Sequence, residues 1–337
     1  MTIEVNKLEG DFSKGKLIPE DMKTGALFQV DVNPQGKKTY DWIQKNNVII
    51  NNILSHHGAL LIRGLPIGGS RQFGTLLQQI FGMELLPYIY RSTPRTELKG
   101  HVFTATEYHS DLLIPQHNEN SYSNNWPTRI GFLCVVDSDT GGATPIANSR
   151  NVYLDIPLPI REKFESKGVM YVRNYSDIDL PWDVVFGTKD RSEVEHFCLN
   201  NNINCEWSKD GSLRTTQVNP SFIVHPESKE RIWFNQAHLF HISSLDKQVT
   251  EDLLKVVGTD RLPRNAYYGD GSEIEPEALE LIRKSYEKHT IRFSWRRNDL
   301  LLLDNMRFSH GRESYIGDRK VLTGMAGPSS FISNRIF

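Results

Sequence analysis

The sequence predicts a mainly β protein with helical insertions, a jelly roll or β-sandwich. From residue 128 onward, short apolar or β-branched segments recur between turn residues. Helical periodicity is confined to two early and two late segments. No repeat, low-complexity tract or linker divides the 337 residues, so 1–337 is expected to form a single domain.

Taken in order, residues 1–38 carry Gly, Pro and charge with little periodicity and are expected to form an irregular N-terminal arm. A helix fits 40–57, where Ile43, Ile49, Ile50, Ile53 and Leu54 share a side and Gly58 is a natural stop. The short apolar run 59–65 reads as a buried strand. Ser70 is placed to cap a second helix, whose Phe73, Leu76, Leu77, Ile80 and Phe81 follow helical spacing up to Gly82. Strands are expected at 128–136, 168–174, 221–225, 231–235, 290–295, 300–304 and 319–326. Helices interrupt them at 250–257 and from Pro276, a good first-turn residue, with Leu279, Ile282 and Tyr286 in phase. The segment 175–212 is rich in charge and Asn, with few periodic apolar residues, and is expected to be a long loop acting as a lid insertion.

Composition narrows the function. The chain is 38% hydrophobic and 24% charged, with net charge −2 and no long Lys/Arg run, which leaves nucleic acid and anionic membranes unsupported as partners. Cys134, Cys198 and Cys205 form no CxxC pair, and the first residues lack the apolar core of a signal peptide. Apolar runs fall far below membrane-spanning length. The expectation is a soluble cytoplasmic protein.

The residues that carry chemistry are histidines and a carboxylate. His117 and Glu119 stand two apart in Gln116-His117-Asn118-Glu119, so on an extended segment both side chains point the same way. His310, in Ser309-His310-Gly311-Arg312, lies 193 residues further on. Two imidazoles and one carboxylate, with open positions opposite, form the ligand set of non-haem Fe(II) oxygenases. The same three groups also make a catalytic zinc site, so a hydrolase stays open from the residues alone, as does a catalytically silent binding protein. His56 and His57, at a helix end, and His238 and His241, with no carboxylate nearby, read as structural. Gly141-Gly142-Ala143-Thr144-Pro145 allows a tight turn followed by a hydroxyl donor. A turn at Gly317 brings Arg319 back beside His310, and an arginine fork suits a carboxylate.

These segments resemble the taurine dioxygenase and clavaminate synthase-like branch of Fe(II)/2-oxoglutarate-dependent oxygenases. The resemblance rests on His117-Asn118-Glu119-Asn120-Ser121-Tyr122, Trp126-Pro127, the 141–145 turn, Trp233-Phe234-Asn235-Gln236, Tyr268-Gly269-Asp270-Gly271, and Asp304-Asn305 leading to His310-Gly311-Arg312, across roughly residues 90–328. It implies a double-stranded β-helix, with Fe(II) held by His117, Glu119 and His310. It implies that 2-oxoglutarate, co-substrate with O2, is bound through its distal carboxylate by Arg319, with Thr144 as a second contact and Arg312 as the alternative arginine. The 9 residues from His310 to Arg319 are fewer than in the taurine and clavaminate enzymes and imply a tighter turn. Hydroxylation is the implied outcome, with desaturation and ring closure as family variants; halogenases have a small residue where Glu119 stands. The resemblance points to bacterial specialised metabolism such as antibiotic biosynthesis. The implied substrate is an amino acid, or an aminoacyl group on a carrier protein. Arg91, Arg95, Asn118 and Asn235 are the candidates to line its pocket.

Overall fold

The computed structural model describes residues 10–331, apart from 23, 24, 35, 37, 89, 91, 94, 106, 107 and 177. A seven-stranded sheet runs in the order Lys16–Ile18, Leu27–Asp31, Ala59–Arg63, Leu300–Asp304, Asn125–Val136, Lys320–Ser330, Val102–Thr104. Its central strand Leu300–Asp304 is almost wholly apolar because both of its faces are covered. Leu300 and Leu302 join the outer core, with the helices Thr39–His57 and Ser70–Phe81. Leu301 and Leu303 alternate to the other side, where they meet Ile146, Ile291 and Phe308 of a four-stranded sheet. That smaller sheet, ordered Thr290–Ile291, Ile146–Asn148, Phe308–Arg312, Ile114–His117, carries two of the candidate ligands. A third sheet, Asn204–Trp207, Leu213–Asn219, Val169–Tyr175, Arg264–Tyr268, builds a separate core with the helices Leu158–Lys167 and Pro276–Lys288.

Three expectations need correction. The segment 1–38 is not an irregular arm throughout: among its described residues, Lys16–Ile18 and Leu27–Asp31 are strands of the main sheet. Leu27–Asp31 lies parallel to Ala59–Arg63, with the helix Thr39–His57 as the crossover that a parallel pair requires. Phe28 and Val30 turn to the outer core while Leu27 turns inward, so this strand is held by burial on both faces. The segment 175–212 is not a long loop. It contains the helices Trp182–Phe186 and Arg191–Asn200 and the strand Asn204–Trp207, and its Val185, Phe186, Val194 and Cys198 are buried in the third sheet's core. Finally, Ser70 is the first helical residue rather than the cap. Gly69 takes the cap position, and the Gln72 side chain reaches back to accept from the Gly68 amide at 2.6 Å.

The helix Thr39–His57 ends as expected at Gly58, whose φ of +80° is left-handed and whose amide returns to the Leu54 carbonyl. Among the described residues no helix is long and apolar enough to cross a membrane.

Candidate active site

His117 closes the strand Ile114–His117 and is the direct cross-strand partner of His310, with ring centroids 4.5 Å apart. Beyond His117 the chain leaves the strand and turns at Glu119 and Asn120, where the Ser121 amide returns to the Asn118 carbonyl at 3.2 Å and Asn120 has a φ of +57°. The turn brings the Glu119 carboxylate to the His117 ring, while the Asn118 side chain goes to Ser149 and the Asn305 carbonyl. One oxygen or nitrogen from each of His117, Glu119 and His310 lies within 4.8 Å of the others, and His310 Nε2 is 3.6 Å from Glu119 Oε2. Three ligands around one ion, each about 2.1 Å from it, stand about 3–4 Å apart, so these groups fit a metal.

The residues around them preset the donors. His117 Nδ1 donates to the Pro115 carbonyl at 2.9 Å, which fixes the tautomer and leaves the Nε2 lone pair bare. Burial, and then His310 beside it, pull the His117 pKa down to about 4, so the ring is neutral near pH 7. Burial alone would raise the Glu119 carboxyl, but Arg95 and the two histidines outweigh it and hold Glu119 ionised, well below the usual range. Arg95 Nη2 makes the closest contact, 2.7 Å to Glu119 Oε2, and its guanidinium lies over the Tyr88 ring.

Two asparagines fasten the ligand-bearing segments together. Asn305 Oδ1 accepts from the Glu119 amide at 2.7 Å, and its Nδ2 donates to the carbonyls of Glu119 at 3.0 Å and Pro127 at 2.7 Å. Asn118 Nδ2 donates to the Asn305 carbonyl at 2.7 Å and to Ser149 Oγ at 3.0 Å. Asp304 tightens the turn before His310 by accepting from the amides of Met306 and Arg307, and it pairs with Arg129 at 2.6 Å and His225 at 3.2 Å.

Beside the cluster lies a narrow pocket lined by Arg95, Ile114, Phe132, Thr144, Arg312 and Arg319 among others. Arg319 Nε donates to the Gly142 carbonyl at 2.8 Å, and its Nη2 lies 3.3 Å from Thr144 Oγ1. A Cβ on Gly142, whose φ is +69°, would come within 2.5 Å of Ser138 Oγ and 3.0 Å of Arg319 Cδ, so glycine is required for Arg319 to enter. Trp295 Nε1 also donates to Thr144 Oγ1, at 3.0 Å. With both lone pairs of that hydroxyl engaged, its one proton is left to donate into the pocket. Sequence reasoning missed Trp295; an indole in a short apolar segment reads as core, and only the fold shows what its N–H meets. Burial and the nearby Arg312 lower the Arg319 pKa to about 10, which leaves it cationic.

Two expected site residues are placed elsewhere, and a third lines the pocket with its terminal nitrogens already engaged. Asn118 is fully buried on the side away from the pocket, and Asn235 is fully buried with its amide spent on the Ser221 carbonyl and the Ala237 amide. Neither lines the pocket. Arg312 does line it, but both its terminal nitrogens clamp the carbonyls of Tyr108, His109 and Leu112, which removes it as the alternative co-substrate arginine. Arg91 lies outside the described residues. Arg95 alone of the four expected lining residues is placed at the site.

The sequence profile of the family described as "Taurine catabolism dioxygenase TauD, TfdA family" matches residues 24–326. The dapdiamide synthesis protein DdaC of Enterobacter agglomerans is 40% identical over 280 residues, covering 83% of this chain and 85% of that protein. A clavaminate synthase-like protein of Arabidopsis thaliana is 29% identical over 288 residues, covering 82% and 83%. Among solved structures, the PvcB protein from Pseudomonas aeruginosa aligns with a TM-score of 0.52 at 15% identity, covering 89% of this chain and 84% of that one. AAD-2, solved with Mn(II) and N-oxalylglycine, aligns with a TM-score of 0.51 at 12% identity, covering 90% and 94%. At such identities the two structures speak for a shared fold alone.

Proposed function

The chain belongs to the TauD/TfdA family of Fe(II)- and 2-oxoglutarate-dependent dioxygenases, and we propose that His117, Glu119 and His310 are its iron ligands. The observation that carries this is the convergence of those three side chains to within 4.8 Å of one another, with His117 and His310 lining a pocket that also holds Thr144 and Arg319. The zinc-hydrolase and silent-protein alternatives are not retained for a chain of this family. The two sheets that share the inner core are read as the two halves of a double-stranded β-helix.

The chain's own residues then divide the work. Arg319 receives the distal carboxylate of 2-oxoglutarate, and the Thr144 hydroxyl, turned by Trp295, donates to it. Phe132 and Ile114 keep water from the pocket. His117 stays neutral and Glu119 stays ionised, so the donor set is ready near pH 7. Iron at this position supplies the activation of O2 that couples oxidation of 2-oxoglutarate to succinate and CO2 with oxidation of a substrate C–H.

For substrate we propose an amino acid or an aminoacyl group presented by a carrier protein, hydroxylated at an unactivated carbon. The 40% identical relative is a dapdiamide synthesis protein, which supports a role in specialised metabolism such as antibiotic biosynthesis. The test is a screen of amino acids and their carrier-bound forms, following substrate-dependent succinate release and a 16 Da mass gain (roughly one oxygen atom). The release is expected to need both O2 and 2-oxoglutarate; turnover without either co-substrate overturns the proposal.

A further inference from the structure

Arg95 is almost completely buried, and only one of its terminal nitrogens is used, on Glu119. Its Nε and Nη1 are buried with no hydrogen-bond partner. A buried, unmet donor costs about 1–3 kcal/mol, more on a charged group, so two on one guanidinium call for an acceptor that the described residues do not provide. The Tyr88 ring supports one face of the guanidinium, and the group lines the same pocket as His117 and His310.

The charges in the pocket give the sign of that acceptor. Among the described residues around it, Arg95, Arg312 and Arg319 are cationic and Glu119 is the acid. Arg312 is turned to backbone carbonyls. A ferrous ion and the 2-oxoglutarate dianion cancel each other. Arg319, Arg312 and Arg95 against Glu119 then leave a positive excess at the site, which hydrogen bonds from Arg312 to neutral carbonyls do not remove. A neutral substrate leaves that excess unmatched, whereas a substrate carrying a carboxylate or equivalent anion offsets it in part and gives Nη1 an acceptor.

Resting on the site assignment above, we infer that Arg95 anchors an anionic group of the organic substrate, so that the substrate bears a free carboxylate or its equivalent. An amino acid held as a thioester has given up its α-carboxylate and would need another anion to take this place. Because Arg95 also touches Glu119, the anchored anion sits beside a proposed iron ligand, and the carbons presented for oxidation are those close to the carboxylate.

The primary test uses the wild-type enzyme with Fe(II) and 2-oxoglutarate. Amino acids are paired with their primary amides and with their carrier-bound thioesters, and stimulated succinate release is measured. Free acids are expected to stimulate, with half-saturation at concentrations roughly 30-fold or more below those of the amides, the scale of losing a charged partner. Calorimetry of the best acid on protein loaded with Zn(II) and N-oxalylglycine gives a readout free of turnover. There, Arg95→Met is expected to lose binding by a similar factor and Arg95→Lys to recover part of it, while N-oxalylglycine affinity holds. Equal or better stimulation by amides or thioesters overturns the inference. So does an Arg95→Met variant that weakens N-oxalylglycine and spares the acid, since the anchor then belongs to the co-substrate. Slow substrate-independent use of 2-oxoglutarate, abolished by His310→Ala, reports on the oxygenase assignment separately. Its absence in wild type would undo the site assignment, whatever the substrate's charge.

Discussion

Replacing Asn305 is expected to destabilise the fold more than replacing any proposed metal ligand, although Asn305 meets only the backbone of Glu119 and no ligating atom. Its side chain makes three buried hydrogen bonds, of 2.7, 3.0 and 2.7 Å, to the Glu119 amide, the Glu119 carbonyl and the Pro127 carbonyl. Asn305→Ala leaves all three backbone groups buried and unmet. At about 1–2 kcal/mol each, the loss is about 3–6 kcal/mol, a large part of a typical 5–15 kcal/mol stability. Asn305→Asp separates hydrogen bonding from size. The new carboxylate can still accept from the Glu119 amide, but it sets a second negative oxygen against two carbonyls. Those carbonyls raise its folded-state pKa above the unfolded value. The penalty is therefore full when the group is ionised in solution and is relieved as pH falls through the folded value. Urea denaturation at pH 8 and at pH 5 measures both variants. The expected order at pH 8 is wild type, then Asn305→Ala and Asn305→Asp well below it, with the Asp variant alone gaining on wild type at pH 5. An alanine variant within about 1 kcal/mol of wild type would refute this account of how the two ligand-bearing segments are joined.

Trp295→Phe keeps the ring and deletes the N–H that turns the Thr144 hydroxyl; the KM for 2-oxoglutarate is expected to rise roughly 3- to 10-fold with kcat little changed, the scale of one neutral hydrogen bond. Glu119→Ala is expected to abolish hydroxylation and strongly weaken iron retention, measured by metal analysis after desalting; full turnover would remove Glu119 from the ligand set. Burial pushes the Asp304 carboxyl up, but His225 and Arg129 more than offset it and hold it at about 2, below its ordinary 3.8. A depressed carboxylate stabilises above its unfolded value and loses that contribution as pH falls towards 2. Acid unfolding between about pH 4 and 2 is thus expected to be shallower in Asp304→Asn, by on the order of 2 kcal/mol across that window, as read by circular dichroism.

The proposed ligands were readable from residue type and spacing. An extended segment would set His117 and Glu119 on one side; the chain brings them together by a turn at Glu119 instead. His310 needed only a fold that pairs its strand with that of His117. The same turn shows why Asn118 was misplaced. Closeness in sequence to two ligands suggests closeness to the pocket, yet its side chain goes to Ser149 and the Asn305 carbonyl. Arg312 was misjudged for a different reason. Nothing local reveals that the 108–112 carbonyls turn back onto its guanidinium. The strand Leu27–Asp31 escaped because a five-residue run amid Gly, Pro and charge carries little signal of its own, and its partner lies beyond a 19-residue helix. The helix Arg191–Asn200 escaped because it buries only Val194 and Cys198 and presents charge and amides elsewhere.

The pairing of His117 with His310 has an evolutionary corollary. The strand Phe308–Arg312 carries an irregularity between His310 and Arg312, so its register against Ile114–His117 is offset just past the second imidazole. Slippage upstream of that offset inverts which face every residue presents. A single codon gained between Met306 and Ser309, if the strand took up the shift, would move His310 from the side it shares with Phe308 to the side where Ser309 now meets Gln116. Length in this one short stretch is thus as much a condition of the paired imidazoles as the histidine codons themselves.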